Sequence, residues 1–215
     1  MNKWVFVDGR GVLFEVAERH ERARKALPEG AQVEEPALRA ALAVADAAMR
    51  GLNELHSEKD ERDYWVAYWR IFLRDLGLSE SYAPVMHREA FWPTHSPVYP
   101  EVASVFGHLH DAGYHIGLIT NGPPSVTLGL SQMGLLYFLD NVTAASEVGC
   151  RKPDPRIYRI AMGVAGVDPA NAWFVDDDLP HVEAARAVGM NGVLLDRTGS
   201  KGDITTLRDL LSLLK

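Results

Sequence analysis

Asp8, Thr120 with Asn121, Lys152, and the run Asp176, Asp177 and Asp178 are the residues of this sequence whose types and placement can do chemistry. Each group but the lysine directly follows a short apolar run, and Lys152 lies in the loop after another. A carboxylate just past the end of a strand can act as a nucleophile or a metal ligand. Carboxylates gathered at one place cannot all stay ionised without a cation. Hard oxygen donors suit Mg²⁺, which is usually held by one or two carboxylates, waters and a substrate phosphate. Lys152 supplies fixed positive charge against Asp8 and transferring phosphoryl oxygens. Thr120 and the neighbouring backbone amides can donate hydrogen bonds to the same oxygens. An isolated Asp-Gly pair such as Asp8-Gly9 more often shapes a turn. Its company later in the chain lifts Asp8 above that reading.

The elements that must position these groups follow from patterning. Residues 4–7 form a buried β-branched and aromatic run, ended by Gly9 and Gly11. Residues 15–92 contain no convincing strand. Helices are expected over 35–52, with Pro36 near the start, over 57–76, with Ser57 as cap and Gly77 as stop, and over 79–92. The stripe of Trp65, Trp69 and Phe72, with Tyr64 and Tyr68 alongside, is better read as a packed helix face than as a pocket lining. From residue 99 onward helices at 100–112, 123–133, 154–165, 181–188 and 204–214 alternate with strands at 114–119, 141–145, 172–175 and 193–195. Such alternation means crossover connections and a parallel sheet. The expectation is an α/β, Rossmann-like core of residues 1–14 and 93–215, with a helical insertion at 15–92. All the strand ends then share one edge, where ligands bind in open α/β sheets.

Composition narrows the function. The chain of 215 residues is 47% hydrophobic and 24% charged, as globular proteins are. A net charge of −7 argues against a nucleic-acid partner, and no apolar run is long enough to span a membrane. The single Cys150 excludes an internal disulfide and, with no recognisable leader, leads to the expectation of a cytoplasmic protein. Arg151 and Lys152 beside Cys150 can lower its pKa, although a lone cysteine with no partner base is read as inert. Gly9-Arg10-Gly11 begins like a dinucleotide fingerprint, but Phe14 stands at the third glycine. The eight histidines show no zinc-ligand spacing. Oligomeric state is not legible.

Residues 8–13, Thr120-Asn121-Gly122, residues 151–155 and residues 174–190 with the Asp176-Asp177 pair resemble, in this order, the four motifs of the haloacid dehalogenase superfamily. The resemblance spans essentially the whole chain and implies that 15–92 is the helical cap of such an enzyme. For most members it implies hydrolysis of a small phosphorylated substrate through an aspartyl-phosphate on Asp8. Mg²⁺ would be held by Asp8, the backbone carbonyl of Arg10 and Asp177, with Asp176 binding directly or through water. Thr120 would hold phosphoryl oxygens, and Lys152 would hold Asp8 and the phosphoryl group. His181 stands where the family often has Asn.

The departure is Arg10. Phosphatases of this superfamily carry there a second Asp, which protonates the leaving group and then activates water. A guanidinium stays charged and accepts no hydrogen bond, so it cannot shuttle a proton. Arg10 can bind an anion in a specialised enzyme. It can instead pair with Asp8 and Asp177, leaving a non-catalytic protein that binds a phosphorylated ligand or partner, or form a plain structural salt bridge. Haloacid dehalogenation is the rival chemistry, but those enzymes carry Tyr at this position and need no metal. A phosphonate-cleaving reading would need a cap lysine such as Lys25 or Lys59, and solvated surface lysines are the simpler account.

Overall fold

Trp4, Val5, Phe6 and Val7 are all buried, the pattern of a strand covered on both faces. They belong to Lys3–Val7 (β1), the middle strand of a five-stranded parallel sheet in the computed structural model, which describes residues 2–49, 55–199 and 201–214. The other strands are Tyr114–Thr120 (β2), Asn141–Ala144 (β3), Ala172–Asp176 (β4) and Asn191–Leu194 (β5). Their order is β3-β2-β1-β4-β5. The order reverses at β1, which pairs with β2 on one side and β4 on the other, so the switch point lies at the end of β1.

The helices, in chain order, are Arg19–Ala26 (α1), Glu35–Ala48 (α2), Glu58–Asp75 (α3), Ala83–Glu89 (α4), Val102–Asp111 (α5), Val126–Gln132 (α6), Ala145–Val148 (α7), Pro155–Ala165 (α8), Leu179–Ala187 (α9) and Leu210–Leu213 (α10). The chain divides into two compact units, Met1–Glu15 with Pro97–Lys215, and Val16–Ser96. The division falls slightly later than the sequence suggests. The cause is backbone pairing: Tyr99 N donates to Leu13 O (3.0 Å) and Glu15 N to Pro97 O (3.1 Å), joining 97–99 to the stretch after β1.

In the sheet unit, Trp4, Phe6 and Phe174 pack with Ile157, Tyr158 and Ala161 of α8 and Ala185 of α9. Helix α5 covers β2 and meets the C-terminal turns. Gly117 of β2 leaves room for the Phe6 ring: a Cβ there would lie 2.5 Å from Phe6 Cδ1 and 3.4 Å from Trp4 Cζ3. The expected helix at 204–214 shortens to a 3-10 turn, Leu207–Asp209, followed by α10, because Thr206 caps the chain there with a capping box.

In the helical unit, Leu38, Ala41 and Leu42 of α2 pack against Tyr68, Trp69, Phe72 and Leu73 of α3, with Met86 of α4. The aromatic stripe is therefore core, with Trp65 only partly buried. Ser57 caps α3, its hydroxyl accepting from Asp60 N at 3.1 Å. Helix α1 has no counterpart in the sequence reading, since RHERARKA offers only Ala23 and Ala26 to the interior. The expected helix at 79–92 is divided into a 3-10 turn, α4, and a second turn at Trp92–His95. Helix α2 ends at Ala48, and its expected end at Leu52 lies outside the described residues. Tyr68 donates to Asp46 Oδ1 (3.0 Å), while Arg19 pairs with Asp46 and lies over the Trp65 and Tyr68 rings. Burial, opposed by the Arg19 hydrogen bond, pushes the Tyr68 phenol up to about 12.

This packing sets the expected cost of substitution at three positions. Gly117→Ala should lower the free energy of unfolding by about 1–3 kcal/mol, because the buried Phe6 ring must give way. Gly107→Ala, where a Cβ within α5 meets nothing within 4 Å, should be neutral or stabilise by up to about 1 kcal/mol; denaturant titration checks both. Tyr68 keeps its proton to higher pH when folded than when unfolded, so its contribution is complete below pH ~10 and is lost as pH rises toward about 12. The stability difference between wild type and Tyr68→Phe should therefore shrink across that window, and a constant difference would contradict the assignment.

Candidate active site

Asp8 continues the register of β1 by one residue, its N–H donating to Val175 O at 2.9 Å. That bond sets Asp8 beside Asp176, the last residue of β4. Between their carboxylates lies the Lys152 ammonium, 2.6 Å from Asp8 Oδ1 and 2.6 Å from Asp176 Oδ2. The Lys152 and Asp176 side chains are each 1% exposed, and that of Asp8 is 14% exposed. Asp177 completes the group: one carboxylate oxygen from each of Asp8, Asp176 and Asp177 falls within 4.8 Å of the others.

The lysine is positioned through its backbone. Asn121 Oδ1 accepts from Lys152 N at 2.8 Å, and Asn121 Nδ2 donates to Lys152 O at 3.0 Å. The Asn121 amide thus ties the turn after β2 to the lysine's loop, a positioning task within the set expected to be catalytic. Thr120 is buried at the end of β2 and accepts from Gly122 N at 3.0 Å, which leaves its hydroxyl proton to donate. Asp176 is held by three groups besides its strand: Lys152, Asp178 N at 2.9 Å, and His181 Nδ1 at 3.2 Å. Tyr158 fixes the start of α9 by donating to His181 O at 2.8 Å. His181, which sequence reasoning left without a role, is therefore part of the group. Its place five residues after Asp176, in the first turn of a helix leaving a strand end, was the available signal.

The electrostatics follow from burial and crowding. Burial pushes the Asp176 carboxyl up, but the His181 hydrogen bond and the Lys152 ammonium outweigh it and hold Asp176 below the usual range. Burial works against the Lys152 charge, and Asp8 and Asp176 more than restore it. Asp8 is raised, by burial and by Asp176, against the pull of Lys152. Asp177, desolvated and facing two other carboxylates, is pushed up to about 6. Three carboxylates thus share one ammonium. Such a set of oxygen donors fits a hard divalent cation, whose charge would balance the remainder.

The turn after β1 carries the departure noted in the sequence. Leu13 N donates to Gly9 O and Gly11 N to Phe14 O, each at 2.8 Å. Gly11 takes φ +81°, and a Cβ there would lie 2.1 Å from Asp177 Oδ2, so only glycine lets this turn approach the carboxylate. The Arg10 side chain is 62% exposed, and its Nε donates to Glu15 Oε1 at 3.3 Å. A cavity of about 520 Å³ opens beside Gly11 and Asp177, lined also by Glu15, Tyr99 and Arg197. Cys150 fits the inert reading, without the lowered pKa that its cationic neighbours could have given it. It is buried, and desolvation raises its thiol pKa, while the neighbouring Lys152 ammonium is committed to Asp8 and Asp176. Among the described residues no helix is long and apolar enough to cross a membrane.

Comparison with known proteins adds to this geometry. The chain is 35% identical over 117 residues to a phosphatase of Mycobacterium tuberculosis, an overlap of 54% of each chain. It is 32% identical over 103 residues to an (S)-2-haloacid dehalogenase of Burkholderia cepacia, covering 47% of this chain and 45% of that one. The chain thus spans about half the length of these curated relatives. A crystal structure of a HAD phosphatase from Thermococcus onnurineus superposes with a TM-score of 0.67 at 26% identity, covering 99% of this chain and 97% of that one. The family model for haloacid dehalogenase-like hydrolases matches residues 3–189. The chain belongs to the haloacid dehalogenase-like hydrolases.

Proposed function

We propose that this protein is a Mg²⁺-dependent phosphohydrolase that acts on a small phosphorylated metabolite through Asp8. The observation that carries this reading is the buried Lys152 ammonium between Asp8 and Asp176, with Asp177 inside the same cluster of oxygens. Similarity to a phosphatase of Mycobacterium tuberculosis and to a HAD phosphatase of known structure supports it. Asp8, Asp177 and the carbonyl of Arg10 would hold Mg²⁺, with Asp176 directly or through water. Bound there, Mg²⁺ would supply charge neutralisation of the phosphoryl oxygens. Residues 16–96 would serve as the cap that selects substrate. A cytoplasmic setting belongs to the same reading and is supported by the lone, buried Cys150.

The chain's own groups would work as follows. The Lys152 ammonium favours the ionised form of Asp8 against the effect of burial, and the carboxylate at the strand end attacks phosphorus as the bond to the leaving oxygen breaks. Lys152 and the Thr120 hydroxyl then stabilise charge on the phosphoryl oxygens. Water hydrolyses the aspartyl-phosphate, returning the Asp8 carboxylate and releasing phosphate. Asn121 keeps Lys152 in place throughout. At Arg10 no carboxyl group is available to give a proton to the leaving oxygen or take one from water, so solvent must do both. Activated aryl esters should therefore react more readily than alkyl phosphates in the first step.

Aryl phosphate hydrolysis should appear with Mg²⁺, vanish on chelation, and fall to background in Asp8→Asn; activity surviving that change would remove Asp8 from the nucleophile's role. Lys152→Met should abolish turnover and lower stability by about 3–5 kcal/mol, since two buried carboxylates would face one another uncompensated. Arg10→Asp should raise turnover of alkyl phosphates by about 10²–10⁴-fold. No gain would end the view that proton transfer limits the natural chain. Metal-independent halide release from a 2-haloacid would instead favour dehalogenation, and phosphate-ester binding without turnover in any variant would favour a silent binding protein.

A further inference from the structure

Arg197 lies two residues past Leu195, whose N–H donates to Asp176 O at 3.0 Å. It is therefore anchored next to the end of β4, on a loop that Asp196 stiffens by accepting from the amides of Thr198 and Lys201. From there its guanidinium reaches 186 residues back along the sequence, to the turn after β1. Nε donates to Gly11 O at 2.9 Å and Nη2 to Val12 O at 2.8 Å. Nη1 donates to Glu101 Oε1 at 2.8 Å, and the guanidinium carbon sits 3.4 Å from the centre of the Tyr99 ring. The Tyr99 hydroxyl in turn donates to Glu15, the residue that accepts from Arg10. Burial pushes the Glu101 carboxyl up, but its hydrogen bond from Arg197 and further hydrogen bonds hold it below the usual range, so the anchor stays charged.

Each part of this arrangement needs a guanidinium. Two donors must meet two successive carbonyls while a third meets a carboxylate and the flat face stacks on a ring, and a lysine ammonium has no such fork. The two carbonyls it holds lie in the turn that carries the Arg10 carbonyl and presses Gly11 against Asp177. We propose that Arg197 is a positioning residue for the reaction centre, fixing the turn after β1 and thereby the placement of the Arg10 carbonyl and Asp177 relative to Asp8. The consequence for turnover and Mg²⁺ rests on the phosphohydrolase reading; the fixing of the turn does not.

Amide hydrogen exchange at Gly11, Leu13 and Phe14, with β1 amides of Val5 and Val7 as internal reference, reads the turn directly. In Arg197→Lys the turn amides should exchange about 10–100-fold faster, the loss expected for charge-assisted hydrogen bonds, while the β1 amides keep their wild-type rates. The Mg²⁺ concentration that half-saturates the thermal shift should rise about tenfold, a loss in the range typical for residues that orient ligands. Guanidinium added at millimolar concentration to Arg197→Ala should restore part of both. If Arg197→Lys does not fold, Glu101→Gln weakens the same anchor and should shift the same amides in the same direction. Turn amides exchanging at the wild-type rate, or faster only in step with β1, would overturn the proposal. Failure of the wild type to take up Mg²⁺ or hydrolyse aryl phosphate would instead overturn the phosphohydrolase reading, and the exchange data would still decide the role of Arg197.

Discussion

One buried ammonium between two carboxylates organises this molecule. Removing Lys152, Asp8 and Asp176 from water is costly, and their mutual attraction offsets that cost only if all three meet with good geometry. The sheet order supplies the geometry by setting β1 and β4 side by side, so that Asp8 and Asp176 end in register. The lysine comes from a loop rather than a strand, and the Asn121 side chain closes on both backbone groups of Lys152 to hold it there. Each neighbouring element is thus constrained by where a single charge must sit.

The two sides of that charge differ. On the β2 side, Thr120, Asn121 and Lys152 are buried or joined to one another. On the β5 side, Asp177 lines a cavity and lies close against the bare backbone of Gly11. Lys152 lies on the first side, in direct contact with Asp8 and Asp176, while on the second the cavity beside Asp177 is bordered by Arg186, Arg197 and Lys201. Arg10 belongs to a further set of contacts: its guanidinium engages Glu15, which Tyr99 also engages, and Tyr99 stacks on Arg197. A side chain at the position where phosphatases of the superfamily carry an acid is here built into the scaffold of the turn.

Much of this was legible in the sequence because strand ends announce themselves. A run such as Trp4, Val5, Phe6 and Val7 stopping at Asp-Gly gives both the strand and the polar group beyond it, and parallel strands require such groups to share an edge. What could not be read was side-chain direction. Asn121 stood next to Thr120 as a candidate catalytic residue with no stated contact, and its amide is used on Lys152, a partner distant in sequence. Cys150 reads as inert despite two neighbouring cations, and burial, which raises its pKa, supplies the physical reason. Arg197 followed a short strand with nothing in its neighbourhood to mark it, since its partners lie near residues 11 and 101. Helix α1 escaped notice because a mostly charged helix with two buried alanines leaves almost no apolar period.

The separation of Asp8 from its lysine by 144 positions has a bearing on synthesis at the ribosome. As the chain emerges, the first strand and its aspartate are exposed long before the cation that neutralises them, and the second carboxylate of the pair follows later still. Until residue 176 has left the exit tunnel, β1 lacks one of its two neighbours and Asp8 stands without the strand end it is paired with. The cluster of Asp8, Lys152 and Asp176 is therefore assembled only when the long-range contacts that define the native topology close.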